Sequence, residues 1–149
     1  MVDIGPQFCY NEIMKLLALT PDFQRCGLDP QIMVQNFMDH RSLPKRPGLY
    51  SIWQQDQCIY VGQGGGLKGI RGRVYPPHHN KAFGVNLHQT KDCVGWANGR
   101  TQNWWDPNTW IIEYFECERS VHRTYLEGAM MLMFDPYCND ENFLDRQKG

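Results

Sequence analysis

The stretch "GLYSIWQQDQCIYVGQGG", residues 48 to 65, constrains this chain more than any other. Two runs rich in β-branched and aromatic residues, "GLYSIW" and "CIYVG", flank the polar "QQDQ" and lead into glycines. That pattern predicts a β-hairpin, and sequential strands joined by a short loop pair antiparallel. Each strand carries a tyrosine, Tyr50 and Tyr60. Side chains alternate faces along a strand, and directly opposed residues share a face. A loop with an odd number of residues would therefore make the two tyrosines direct partners, with Ile59 and Val61 turned to the core. Two phenols beside glycines can line a polar site. They can equally form a plain cross-strand aromatic pair, contributing about 0.2–1 kcal/mol.

Around the hairpin, a helix is expected from Phe8 to Leu19, ended by Thr20-Pro21. A second should start at Asp29-Pro30, an acidic N-cap with proline at the first helical position. Ile32, Met33, Phe37 and Met38 follow at helical spacing, and "RSLPKRPG" reads as a connector. Residues 1–46 are thus expected to be a helical extension packed on the same domain, with 47–149 as the core. Past Gly62, "QGGGLKG" leads into a short helix, "IRGRVY", stopped by Pro76-Pro77. "TWIIEYFECE" predicts a third strand. "SVHRTYLEGAMMLMF" predicts a long helix with Ser120 as N-cap, ended by Asp135-Pro136. The expected class is α+β: a small antiparallel three-stranded sheet flanked by helices, behind the N-terminal helical extension.

At 149 residues the chain suits one core. With 42% hydrophobic and 21% charged residues it has the balance of an ordinary globular domain. No apolar run reaches the roughly 18–20 residues of a membrane span, and no basic leader precedes an apolar stretch. A cytoplasmic location is expected. The six cysteines lie far apart without a C-x-x-C pair, which favours free thiols over disulfides. A zinc site from His78, His79, His88 and Cys93 is conceivable, but its spacing matches no standard ligand pattern.

A net charge of −1 argues against a non-specific nucleic-acid coat. The distribution says more. Arg41, Lys45, Arg46, Lys68, Arg71, Arg73 and Lys81 face a single acid, Asp56, within one segment. Such a stretch suits a phosphate-backbone groove or a solvated loop surface. Trp96, Trp104 and Trp105 could stack on bases or pack. In the last helix Glu127 sits among Leu126, Ala129, Met130, Met131 and Met133. A carboxylate in apolar surroundings is costly unless it is paired or holds a cation; alternatively it forms an exposed i,i+4 pair with Arg123.

Gly48-Leu49-Tyr50, nine residues, Tyr60-Val61-Gly62, then an arginine, a helix glutamate and a Pro-x-x-Asn together resemble the GIY-YIG nuclease family. That family includes the nuclease of the bacterial excision-repair incision subunit, homing endonucleases and restriction enzymes. Glu127, Pro136 and Asn139 stand nine and twelve positions apart, as in the excision-repair subunit. The resemblance covers about residues 47 to 140. It implies Tyr50 as general base for an attacking water and Tyr60 as a hydrogen-bonding group near the scissile phosphate. It implies Arg73 as stabiliser of the pentavalent phosphate, Glu127 as metal-binding carboxylate and Asn139 as the amide shaping the site. His78 falls near a histidine or tyrosine of the family helix. Gly62, Lys68, Arg71, His79 and Lys81 would then line the substrate's path, with Mg²⁺ or Mn²⁺ as cofactor and DNA, rather than RNA, as partner.

Two departures stand out. Leu49 replaces the usual isoleucine or valine, and "QGGGLKG" lengthens the path from Gly62 to Arg73 by about three residues, which leaves Arg71 as a rival for the arginine role. The chemistry is coherent apart from the resemblance: in-line attack builds charge on nonbridging oxygens, which a cation and a guanidinium offset. Magnesium keeps most of its waters, so one carboxylate is enough. A phenol with ordinary pKa near 10 needs cationic help to act as a base. A non-catalytic nucleic-acid-binding module on the same scaffold is the alternative. A third reading is a globular interaction domain. A homodimer would let one site per subunit cut both strands.

Overall fold

The computed structural model describes residues 14–74 and 106–137. Its centre is a four-stranded antiparallel sheet: β1 (Met33–Asn36), β2 (Gly48–Gln54), β3 (Gln57–Gly64) and β4 (Ile111–Glu116), in the spatial order β1-β4-β2-β3. Helices α1 (Thr20–Arg25), α2 (Gly69–Val74) and α3 (Ser120–Phe134) pack around it. The class is α+β, as expected, but the sheet has a fourth strand. Residues 33–36, expected in a helix, pair with β4 from Met33 opposite Tyr114 to Asn36 opposite Ile111. A 3-10 segment, Phe37–Ser42, follows. Short apolar runs fit helix and strand alike, and here the hydrogen bonds of β4 decide.

Proline has the opposite sense at the N-terminus from the one expected. Thr20-Pro21 begins α1 rather than ending a helix, because Pro21 lies in the first turn, where a missing N–H has no intrahelical acceptor to lose. A 3-10 segment, Lys15–Leu19, precedes it. Leu16, Leu19 and Phe23 are buried against Leu49, Val61, Phe115, Leu126 and Met130. Each such burial is worth about 1.5–3 kcal/mol, so residues 15–25 are part of the core. Their attachment has a polar component too. Glu113 on β4 is fully buried and accepts hydrogen bonds from the Lys15 and Leu16 backbone N–H groups, at 2.9 and 2.8 Å.

The opposite sheet face carries Tyr50, Ile52, Ile59, Ile112 and Tyr114, covered by Phe37, Leu43, Ile70, Val74 and Trp110. α3 runs over the first face, with Arg123, Leu126 and Met130 buried at helical spacing. Its N-cap is Arg119, one residue before the expected Ser120. It ends as expected at Asp135, whose left-handed backbone (φ 47°) stops the helix. The chain then turns back, and the Tyr137 N–H donates to the Cys58 carbonyl of β3.

Candidate functional site

The hairpin closes through a two-residue turn at Gln55 and Asp56, the first in the left-handed region at φ 54°. An even loop alone would place Tyr50 with Ile59 and Val61. A β-bulge intervenes: Trp53 pairs with Cys58 and Ile52 with Tyr60, leaving Ile59 as the extra residue. The bulge restores the parity that an odd loop would have supplied, and Tyr60 and Gly62 move to the Tyr50 face. The tyrosines are diagonal neighbours instead of direct partners, with rings stacked at 6.2 Å between centroids and 29° between planes. Ile59 shares their cluster, while Val61 packs on the other face.

Directly opposite Tyr50 stand Tyr114 on β4 and Gly62 on β3. A Cβ at residue 62 would lie 2.5 Å from the Tyr50 hydroxyl and 2.7 Å from Cζ. Gly62 is therefore the floor on which the Tyr50 ring lies. Gly64 has a related part: a Cβ there would strike the Gly69 carbonyl, so its absence lets the start of α2 close on the end of β3. That approach sets the position of Arg73, one residue before the buried Val74. Glycines surround the tyrosines because a phenol on one side and a helix on the other both need the space.

Arg73 is an exposed residue whose guanidinium reaches in to hydrogen-bond and interact electrostatically with both Tyr50 and Tyr60. Arg71 is committed elsewhere: its Nε donates to the Leu43 carbonyl at 2.7 Å and its backbone N–H to the Pro44 carbonyl at 2.9 Å. Between the two rivals, the geometry brings Arg73 to the phenols and ties Arg71 to the connector. Lys68 is exposed in the turn before α2. Arg46 in the basic segment is partly neutralised by Glu118 at 2.8 Å and Glu116 at 3.8 Å.

Tyr50 is fully buried, which pushes its pKa well above that of an ordinary phenol. Tyr60 and Glu127 push it further up, and Arg73 draws it partly back. The carboxylate of Glu127 is thus within electrostatic reach of Tyr50. It arrives from the other sheet face, since its contact, Gln63, pairs with Leu49 of the α3-covered cluster. The phenols and the carboxylate meet at β3, an edge strand of the described sheet.

Glu127 makes no ion pair with Arg123. Its Oε1 accepts from Gln63 Nε2 at 2.7 Å, and Gln63 Oε1 accepts from Arg123 Nε at 3.1 Å. Arg123 Nη1 donates to the carbonyls of Cys117 and Glu118 at 2.9 and 2.8 Å. Sequence reasoning missed Gln63 as a partner of the carboxylate; its place directly after Tyr60-Val61-Gly62 was the available signal. Among the described residues, no group of three His, Cys, Asp or Glu side chains is positioned to hold a metal ion. His78, His79, Lys81, His88, Cys93, the three tryptophans and Asn139 lie outside the described residues. No described helix is long and apolar enough to cross a membrane.

Comparison with family models, with curated proteins and with solved structures returned no match to this chain. The functional reading therefore rests on the residues and their arrangement.

Proposed function

We propose that the chain is a metal-dependent endonuclease of GIY-YIG type, hydrolysing DNA phosphodiester bonds by one-step attack of water. The observation that carries this reading is the convergence of Tyr50, Tyr60 and Arg73 at the edge strand, with Glu127 within electrostatic reach of Tyr50. The four residues come from β2, β3, α2 and α3 and are drawn together only by the fold.

In this reading Arg73 is a fixed cation beside both phenols and offsets the charge that builds on the nonbridging oxygens of the phosphate. Tyr60 positions a phosphate oxygen by hydrogen bonding. Tyr50, once its own proton has passed to solvent, would take the proton of the attacking water as the phenolate. Burial opposes that role by holding its proton, and Arg73 works against the burial. Glu127 fits as a cation ligand: one oxygen is engaged by Gln63, and the other has no partner among the described residues. A single hard carboxylate oxygen suits Mg²⁺ or Mn²⁺ carrying several waters, an ion that would supply positive charge to offset the charge building on the phosphate.

The burial that holds the proton on Tyr50 favours a second reading, a nucleic-acid-binding module without cleavage in which the phenol is structural. Nicking of supercoiled plasmid by wild type and Glu127→Ala, with Mg²⁺, Mn²⁺ or EDTA, separates the two. Metal-dependent nicking that is lost in the variant supports the nuclease. Salt-sensitive binding without cleavage, on duplex, single-stranded and branched DNA and on RNA, supports the module.

A further inference from the structure

Between the buried Arg123 and the carboxylate of Glu127 stands one amide, and its orientation is determined by chemistry. A guanidinium can only donate hydrogen bonds. The Gln63 atom facing Arg123 Nε at 3.1 Å must therefore be the carbonyl oxygen, which turns Nε2 toward Glu127 Oε1 at 2.7 Å. Arg123 is itself held by the two carbonyls at residues 117 and 118, the residue being 9% exposed. The chain of donors runs one way, from an anchored guanidinium through an oriented amide to one carboxylate oxygen.

Arg123 and Glu127 are four residues apart on α3, a spacing at which a direct ion pair forms readily. Such a pair would occupy the carboxylate and set a positive charge against any cation approaching it. The intervening amide keeps the guanidinium back while passing on its polarisation. One oxygen is held, and the other has no partner among the described residues.

We propose that Gln63, oriented by Arg123, is a positioning residue for Glu127: it fixes Oε1 and presents Oε2 to a divalent cation. This rests on the reading of Glu127 as the cation ligand. Groups that orient a metal's ligands set its affinity, and their loss costs about 10–100-fold in binding.

The test is Mn²⁺ titration followed by electron paramagnetic resonance, on wild type, Gln63→Leu, Arg123→Met and Glu127→Gln, with thermal melts to establish folding. The expected result is binding by wild type, none in Glu127→Gln, and affinity weakened about tenfold in Gln63→Leu. Plasmid nicking by Gln63→Leu should recover at saturating Mn²⁺, which a purely structural defect would not do. Arg123→Met should weaken binding in the same direction if folded; Gln63→Leu alone decides the matter if it is not. Unchanged affinity in folded Gln63→Leu overturns the positioning role and leaves Glu127 as the ligand. Absence of binding in wild type, or its persistence in Glu127→Gln, overturns both.

Discussion

The hydroxyl of Tyr50 lies 2.5 Å from the point where residue 62 would carry a Cβ. Tyr50 is fully buried in the central strand and Gly62 is its partner on β3. The glycine is consequently a packing requirement of the tyrosine, whatever else the site does.

Gly62→Ala should drive the Tyr50 ring off its floor and destabilise the protein by about 1–3 kcal/mol, the usual cost of overpacking a filled core. Gly128→Ala is the matched control. It lies inside α3 with no described atom within 4 Å of its missing Cβ, and alanine there should stabilise by about 0.5–1 kcal/mol. Urea unfolding of both variants checks the opposite signs.

Tyr50 should be the origin of a loss of stability in alkali. Its folded pKa is raised well above 10.0 by burial, while in the unfolded chain it titrates as an ordinary phenol. Below about pH 10 both states keep the proton and stability is full. Above it the unfolded chain ionises while the folded one does not, so stability falls as pH rises toward the folded pKa. Melting temperatures from pH 8 to 11 should show this decline in wild type and a shallower one in Tyr50→Phe.

Arg71 and Arg73 should separate by phenotype. Arg71→Ala removes the bond to the Leu43 carbonyl and should cost about 1 kcal/mol of stability, with plasmid nicking changed only a few-fold. Arg73→Ala removes the guanidinium that hydrogen-bonds both phenols and should likewise cost about 1 kcal/mol of stability. It should lower the nicking rate by about 10²–10³, the scale of losing one preorganised charge-stabilising donor. Denaturation curves and nicking rates measured in parallel check both.

Glu113→Ala should strand the Lys15 and Leu16 N–H groups beneath the N-terminal segment. Each buried unsatisfied donor costs about 1–3 kcal/mol, so the variant should be strongly destabilised. Hydrogen exchange at residues 15–25 should quicken more than in β2. Glu113→Gln, with one acceptor oxygen left, should fall between the two.

Much of the architecture is legible in local pattern. The hairpin, the strand around Ile111–Glu116 and the helix Ser120–Phe134 with its stop at Asp135 follow from alternation, helical spacing and proline, because those signals act between near neighbours. Tyr50, Tyr60, Arg73 and Glu127 were nameable as candidates only through a resemblance in order and spacing to a nuclease family, with Arg71 left as a rival to Arg73. The tertiary structure decided the rest. Residues 33–36 became a strand because β4 offered an edge of hydrogen-bonding groups to pair. The two tyrosines share a face because of a bulge at Ile59, which no alternation rule reveals. Arg73 rather than Arg71 meets the phenols because the connector claims Arg71, 28 positions away from Leu43. Gln63 meets Glu127 across 64 positions of sequence. Periodicity records which face a residue takes; which residue meets it there depends on how separate elements pack, and only the folded chain determines that.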